Sequence, residues 1–316
     1  LADFLAYDIV AAAQRSVDAQ PDAQILRELW RHVDAQFAQG YNELSVFHNF
    51  AVEYIDARTE AIFLRDAGWD EDVAADAMET TLQEHLNELA VQQGQPSAVP
   101  VPEPLLGDSP ALLDAGDRQV QVLLQLAKPR VVVFGNLLSP EECDALIAAA
   151  RPRMARSLTV ATQTGGEEVN DDRTSDGMFF QRGESALVQT IEERIAKLLQ
   201  WPIENGEGLQ VLHYRPGAEY KPHYDYFDPS EPGTPTIVKR GGQRVGTLVM
   251  YLNTPEKGGG TTFPDVFLEV APQRGNAVFF SYERPHPSTQ TLHGGAPVIA
   301  GEKWIATKWL REREFK

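Results

Sequence analysis

Cysteine is nearly absent from the 316-residue chain, in which Cys143 is the only one. A single cysteine excludes an internal disulfide and any zinc cluster built from several thiolates. This scarcity fits a reducing compartment, and we expect a cytoplasmic protein. Long apolar runs are also missing: none approaches the roughly 20 residues that a membrane-spanning helix requires. We therefore expect no association with a membrane.

Basic residues are outnumbered, with 28 Lys and Arg against 46 Asp and Glu, which gives a net charge of −18. The imbalance is strongest in residues 1–100, which contain 18 acidic and five basic side chains. Binding to a phosphate backbone requires a basic stripe, and the sequence contains none. We therefore expect no nucleic acid partner.

The chain changes character twice along its length. Apolar positions in residues 1–93 recur at helical spacing, which predicts an acidic, all-α domain. Residues 94–110 contain five prolines and predict an extended linker. Residues 111–316 contain short β-rich runs separated by Gly and Pro clusters, which predict a barrel or a jelly roll. We place the domain boundary at the linker.

Two helices are predicted among the strands of residues 111–316. The first is indicated by Ser139 as N-cap, Pro140 at the first helical position and Glu142 three residues after the cap. The second is predicted over about residues 184–200, with one apolar stripe. Such helices support the outside of a sheet. The runs predicted as strands are 131–134, 209–214, 247–252, 277–282 and 304–310.

A metal site is predicted from His223 and Asp225, which are two residues apart. On a strand, this spacing places both side chains on the same face. His293, in a distant apolar run bounded by glycines, is the best candidate for a third ligand. Two His and one Asp form the facial triad of non-haem iron(II) oxygenases. The alternative for this pattern is a surface histidine bonded to a nearby aspartate.

A lysine strengthens the prediction of a metal site. Lys303 lies ten residues after His293 in the apolar run EKWIATKWL. A lysine that points into a barrel requires an anionic partner, because burying an unpaired charge is costly. The distal carboxylate of 2-oxoglutarate is such a partner. Thr307 lies four residues further on, on the same face of the predicted strand, and can help to hold that carboxylate.

Three separated runs resemble a known family in order and spacing. They are LQVLHYRPGAEYKPHYDYF (209–227), GQRVGTLVMYLNTPEKGGGTTFP (242–264) and HGGAPVIAGEKWIATKWLRE (293–312). Together they resemble the catalytic domain of prolyl 4-hydroxylases, bacterial type, over about residues 130–313. The segment between Asp225 and Arg244 is longer than the family pattern leads us to expect, which predicts a reshaped rim of the substrate groove.

The resemblance implies an α+β protein. Its catalytic domain, residues 111–316, is expected to be a double-stranded β-helix (jelly roll) with supporting helices, preceded by the all-α domain. The expected reaction hydroxylates an unactivated C–H bond, most simply that of a proline in a peptide or protein. It requires Fe(II), 2-oxoglutarate as cosubstrate and O2, with ascorbate as a further candidate, and it releases succinate and CO2.

Residue roles also follow from the resemblance. His223, Asp225 and His293 are expected to bind iron, and Lys303 to bind the C5 carboxylate of 2-oxoglutarate. Tyr214 and Tyr251 match positions that contact the cosubstrate, although either can simply be a core aromatic. Residues expected to contact the substrate are Tyr220, Glu207, Arg244, Trp309 and, in a loop resembling the family's mobile cover, Arg173 and Ser175. Trp309 can also be a core aromatic, and Glu207 with Arg244 can be an ordinary surface pair.

Other functions stay open at this point. The same scaffold can hydroxylate another residue or a peptide natural product, or serve as an oxygen sensor. A non-catalytic peptide-binding module is a further alternative, with a vestigial metal site. For residues 1–93 we expect recruitment of a basic substrate protein or formation of a homodimer.

Overall fold

The structure is a computed structural model, and it describes residues 86–107, 109–157, 159–160, 167–168 and 173–316. The chain divides into two units, Leu1–Ser97 and Ala98–Lys316. Most of the helical domain predicted over residues 1–93 lies outside the described residues, of which 86–92 are helical. That domain stays a prediction. Within the described part of the chain, no helix has both the length and the apolar character needed to cross a membrane.

The second unit combines strands with a few helices. Its α-helices are α1 (Pro140–Ala150), α2 (Ala186–Leu198) and α3 (Thr234–Ile237). Short 3-10 helices cover Arg151–Arg153, Ile203–Asn205, Pro264–Val266 and Pro287–Thr289. The strands are β1 (Leu112–Asp114), β2 (Gln119–Leu126), β3 (Arg130–Gly135), β4 (Ala155–Arg156), β5 (Thr159–Val160), β6 (Glu167–Glu168), β7 (Asp176–Phe180), β8 (Leu209–Tyr214), β9 (Tyr220–His223), β10 (Arg244–Tyr251), β11 (Lys257–Gly258), β12 (Thr261–Phe263), β13 (Leu268–Val270), β14 (Ala277–Ser281), β15 (His293–Gly295), β16 (Val298–Ala300) and β17 (Lys303–Arg311).

A large antiparallel sheet forms the centre of this unit. Its strand order is β1-β2-β3-β14-β10-β17-β8-β7-β4. The central strands are nearly continuously apolar, because both of their faces are buried. In β14, for example, Phe279 packs in one hydrophobic cluster and Phe280 in another. The five predicted strand runs are confirmed as β3, β8, β10, β14 and β17.

Helices α1 and α2 cover one face of the large sheet. Leu146 of α1 and Ile191 and Ile195 of α2 are buried in the same cluster as Phe134 and Met250 of the sheet. Each such side chain contributes about 1.5–3 kcal/mol when it is fully buried. Both predicted helices are confirmed, and the second occupies the middle of the predicted range.

The predicted N-cap of α1 forms a complete capping box. The Ser139 hydroxyl accepts from the Glu142 amide at 3.1 Å, and the Ser139 amide donates to the Glu142 carboxylate at 2.7 Å. Replacing Ser139 with Ala removes the hydroxyl half of this box. We expect the free energy of unfolding to fall by about 1 kcal/mol, measured by urea denaturation. Ser139→Thr keeps the hydroxyl and serves as the control; equal losses in both variants would contradict the capping role.

A smaller sheet covers the other face of the large one. Its strand order is β13-β12-β15-β9. Phe263 of β12 and Val270 of β13 are buried in one cluster with Val249 and Tyr251 of β10. The two sheets therefore share a core. Strands β9 and β15 carry the predicted histidine ligands, and β17 carries Lys303, so this packing brings them toward one another.

The segment predicted as a linker belongs to the second unit from Ala98 onward and is hydrogen-bonded within it. The Val99 amide donates to the Glu283 carbonyl at 2.8 Å, and the Glu103 amide donates to the Leu199 carbonyl at 2.9 Å. Pro102 and Pro104 are buried. The boundaries of the predicted linker and of the two domains stay predictions.

Candidate active site

The two predicted histidine ligands are direct neighbours across the small sheet. His223 ends β9, and His293 begins β15 and is paired with it. Their ring centroids are 4.4 Å apart. Each imidazole donates from Nδ1 to the carbonyl two residues earlier, Lys221 at 2.8 Å and Thr291 at 2.9 Å. Because these bonds fix the tautomer, each ring presents its Nε2 lone pair to a metal ion.

Asp225 completes the group. Its carboxylate lies 3.6 Å from Nε2 of His223 and 3.4 Å from Nε2 of His293. One potential ligand atom from each of the three residues lies within 4.8 Å of the others. Burial opposes ionisation of Asp225, but the adjacent His293 and His223 rings outweigh it and hold its pKa well below the usual range. Burial, together with His293, lowers the pKa of His223.

This donor set suits iron(II). The carboxylate is ionised and His223 favours its neutral form, which are the protonation states that metal ligation requires. Two imidazoles and one carboxylate on one side of an ion leave further coordination positions open. The residues present therefore fit the metal that the sequence predicts.

A pocket extends from these three residues between the sheets. Lys303 lines it and is 3% exposed. Burial lowers the pKa of Lys303 to about 8, and Glu269 only partly opposes this shift. No side chain of the described residues forms an ion pair with its Nζ, which lies over the Tyr214 ring at 5.3 Å from the centroid. A buried ammonium group without a protein carboxylate is suited to an anionic ligand.

Of the other residues predicted to contact the cosubstrate, two line the pocket and one does not. Tyr214 and Thr307 line the pocket together with Lys303. Tyr251 does not belong to the described pocket lining. Its hydroxyl donates to the Thr261 hydroxyl at 2.7 Å. Thr261 does line the pocket. Tyr251 therefore contacts a residue of the wall.

Three of the predicted substrate residues, Tyr220, Arg173 and Trp309, also line the pocket. The Tyr220 ring stacks on His223 with a centroid distance of 3.7 Å. The Arg173 guanidinium lies 4.9 Å from the Tyr220 ring and donates to the Gln210 side chain at 2.8 Å. Burial raises the pKa of Tyr220 to about 12, although Arg173 opposes the shift. Tyr220 thus keeps a neutral hydroxyl beside the metal ligands.

Glu207 and Arg244 form a buried ion pair behind Trp309. Nε of Arg244 lies 2.7 Å from one Glu207 oxygen, and a second nitrogen lies 3.0 Å from the other. The Arg244 guanidinium is 4.0 Å from the Trp309 ring centroid. Arg311 approaches the same carboxylate at 2.7 Å. The pair is therefore neither a surface pair nor part of the described lining, and it supports the ring that is.

Ser175 is not brought to the pocket. It is fully buried, and its hydroxyl lies 3.0 Å from the hydroxyl of Ser157. The Ser157 amide also donates to the Ser175 carbonyl at 3.0 Å. Its predicted contact with substrate stays a prediction.

The sequence did not predict several residues that line or support the site. Thr247 lines the pocket and its hydroxyl donates to the Asp225 carboxylate at 2.8 Å. Period-two alternation in β10 places Thr247 on the same face as Val249 and Tyr251, so a signal for it was available. The pocket residues that the sequence did not single out are Leu212, Thr247, Val249, Thr261, Gly294, Gly295 and Ile305.

The fold and this group of residues define an iron(II)- and 2-oxoglutarate-dependent oxygenase. Residues 209–311 match the 2OG-Fe(II) oxygenase superfamily. Over 222 residues the chain is 42% identical to Prolyl 4-hydroxylase 5 of Arabidopsis thaliana, a match that covers 64% of this chain and 74% of the relative. The chain belongs to the prolyl 4-hydroxylase family and is a 2-oxoglutarate-dependent dioxygenase, whose cofactors are Fe(II), 2-oxoglutarate and O2.

Two further similarities were found. Prolyl 4-hydroxylase 1 of Arabidopsis thaliana is 44% identical over 202 residues, which are 58% of this chain and 70% of that relative. A solved structure of the viral collagen prolyl hydroxylase from Paramecium Bursaria Chlorella virus-1, in complex with 2OG, is 31% identical with a TM-score of 0.45. It matches 57% of this chain and 95% of its own.

Proposed function

We propose that this chain hydroxylates a proline residue in a peptide or protein, using Fe(II), 2-oxoglutarate and O2. The observation that carries the proposal is the pocket in which three metal-ligating side chains and a buried lysine meet. The proline substrate is supported by the 42% identity to Prolyl 4-hydroxylase 5. The double-stranded β-helix of the family is the proposed fold, supported by the packing of the two antiparallel sheets.

Each residue of the pocket has a proposed task. His223, Asp225 and His293 hold the metal, with both imidazoles aimed by their Nδ1 bonds to carbonyl groups. Lys303 and Thr307 bind the distal carboxylate of 2-oxoglutarate through charge-assisted hydrogen bonds. When bound, the metal and cosubstrate activate O2 for C–H hydroxylation, with release of succinate and CO2. The apolar walls Leu212, Val249 and Ile305 exclude water around the reacting groups.

The acceptor side is formed by aromatic rings. Tyr220 and Trp309 line the pocket, and Arg244 supports Trp309 from behind. Proline-rich segments adopt an extended helix before they bind, so they lose little conformational entropy in a groove with aromatic walls. These rings therefore favour a proline-containing peptide over a flexible, polar one.

The proposed role of Lys303 has a pH dependence. An anionic cosubstrate requires the protonated ammonium group, whose pKa in the empty site is about 8. Below pH 8 the group is already charged, and the affinity for 2-oxoglutarate does not change with pH. Above pH 8 the lysine is neutral in the empty site, and binding must take up a proton. We expect the KM for 2-oxoglutarate to rise above pH 8 by up to about tenfold per pH unit. Initial rates between pH 6.5 and 9.5 measure this.

An arginine provides the control for that pH profile. Lys303→Arg stays charged over the whole range, because the guanidinium group does not titrate there. Its KM for 2-oxoglutarate should change little above pH 8. A rise in both proteins with the same slope would show that another group is responsible.

The proposed function is tested with the purified chain, Fe(II), 2-oxoglutarate, ascorbate and O2. Succinate is assayed with proline-containing peptides and with matched peptides in which alanine replaces proline. We expect succinate formation stimulated by the proline peptide, with the mass of one oxygen atom added to proline. Addition of oxygen to another residue would favour the alternative hydroxylase. Absence of Fe(II) or 2-oxoglutarate binding would leave the non-catalytic peptide-binding module.

A further inference from the structure

A chain of two hydroxyl groups ends on the predicted metal ligand Asp225. The Thr247 hydroxyl donates to Oδ2 of Asp225 at 2.8 Å. Because its single proton is used in that bond, the Thr247 oxygen accepts from the Tyr282 hydroxyl, which lies 3.0 Å away. Thr247 and Tyr282 are 0% and 1% exposed, and Asp225 is 8% exposed. The chain of bonds is shielded from water.

The chain joins a loop residue to the rigid part of the molecule. Asp225 lies two residues beyond the end of β9 of the small sheet, whereas Thr247 lies within β10 of the large sheet. Tyr282 follows β14, and its amide donates to the Val245 carbonyl at 3.1 Å. Both hydroxyl groups are thus fixed to neighbouring, paired strands of the large sheet. A carboxylate beyond the end of its own strand is oriented by a second sheet.

The hydroxyl bond also distinguishes the two oxygens of Asp225. Oδ2 accepts the proton of Thr247, whereas Oδ1 accepts from no hydroxyl group of the described residues. Bonds of this kind limit rotation of a ligating carboxylate about its Cβ–Cγ bond. Burial raises the pKa of Tyr282 well above its ordinary value, so its hydroxyl stays protonated and remains a donor.

We propose that Thr247 and Tyr282 are positioning residues that hold Asp225 in the orientation required for metal binding. This inference rests on the proposed function, because it assigns Asp225 to the iron site. Neither residue needs to contact the substrate for this role. The loss of an outer partner of a metal ligand typically lowers metal affinity by about 10–100-fold.

Metal affinity of the apoprotein tests the inference without any measurement of turnover. We would measure the equilibrium dissociation constant of Fe(II) under anaerobic conditions, by chelator competition, for the wild type, Thr247→Val, Thr247→Ser and Tyr282→Phe. Thr247→Val keeps the shape of the side chain but removes the hydroxyl, and should weaken binding by about 10–100-fold. Thr247→Ser keeps the hydroxyl and should bind within about threefold of the wild type, because the donor to Asp225 is retained.

Tyr282→Phe removes only the second bond of the chain and should produce a smaller loss, about three- to tenfold, since Thr247 can still donate. Tyr226→Phe is the matched control, because it also removes one tyrosine hydroxyl and its ring centroid lies 6.1 Å from that of Tyr282. Its Fe(II) affinity should equal that of the wild type. If Thr247→Val does not fold, as judged by thermal melting of the apoprotein, Tyr282→Phe against Tyr226→Phe decides.

The outcomes separate this inference from the proposed function. A wild type that fails to bind Fe(II) would overturn both. A wild type that binds, with Thr247→Val binding within twofold of it, would overturn the positioning role alone. Equal losses in Thr247→Val and Thr247→Ser would assign the effect to packing and also overturn it.

Discussion

His223→Ala is expected to abolish succinate formation. The imidazole is one of three potential metal ligands, and its Nδ1 bond to the Lys221 carbonyl aims Nε2 at the proposed ion position. Loss of a direct ligand should weaken Fe(II) binding more than loss of an outer partner does, hence by more than about 100-fold. Anaerobic Fe(II) titration and a succinate assay measure the two effects.

A second histidine serves as the control for this experiment. His286 is outside the described pocket lining and contacts the Ser288 hydroxyl at 2.9 Å. His286→Ala should keep Fe(II) binding and turnover. Unchanged turnover in His223→Ala, with the variant folded by thermal melting, would show that the proposed metal site is wrong.

Lys303→Ala is expected to act on the cosubstrate, leaving the metal in place. With the ammonium group removed, the distal carboxylate of 2-oxoglutarate loses its proposed charged partner. Breaking a buried charge pair in this way costs about 3–5 kcal/mol, which predicts a rise in the KM for 2-oxoglutarate of about 100-fold or more. Fe(II) affinity of the apoprotein should be unchanged.

Lys257→Ala is the matched control, because it removes the same charge from an exposed position. Its KM for 2-oxoglutarate should equal that of the wild type. A KM for Lys303→Ala within threefold of the wild type would contradict the proposed role of the lysine. A large loss of Fe(II) affinity in the same variant would instead indicate damage to the whole pocket.

The parts of the site that follow chain-local rules could be predicted from sequence. The apolar run around Lys303 predicts a strand with a buried lysine, and the run before His223 ends in β9, whereas Asp225 lies two residues beyond that strand and not on it as the spacing predicted. The capping box at Ser139 is equally local, because its two hydrogen bonds join residues three apart. In each case the neighbours along the chain determine the geometry.

Contacts between distant strands could not be predicted in this way. The sequence shows that Thr247 and Val249 share a face of β10, but not that Asp225 lies opposite Thr247. Similarly, Ser175 resembles a polar loop position, whereas the structure buries it against Ser157. Such outcomes depend on which distant strands pair within a sheet or pack against each other between sheets, which has no signature in a single sequence.

The ion pair of Glu207 and Arg244 could be predicted only in part from the sequence. Their side chains suggested either a surface pair or substrate contacts, and the structure shows a buried pair that stacks beneath Trp309. The long segment 226–243 contributes to this arrangement, since Phe227 lies 4.9 Å from the Arg244 guanidinium. The Gln243 side chain both accepts from the Phe227 amide and donates to the Phe227 carbonyl, each at 2.7 Å. The segment therefore joins the support of the pocket wall.

Strand β17 restricts how the chain can change in length. The residues on its pocket side are Lys303, Ile305, Thr307 and Trp309, and those on its helix side are Trp304, Ala306, Lys308 and Leu310. Because side chains alternate strictly, insertion or deletion of one residue within the strand exchanges the two sets. The lysine would then face the helices, and Trp304 would enter the space of the cosubstrate. A change of chain length by one residue within β17 is therefore incompatible with the proposed site.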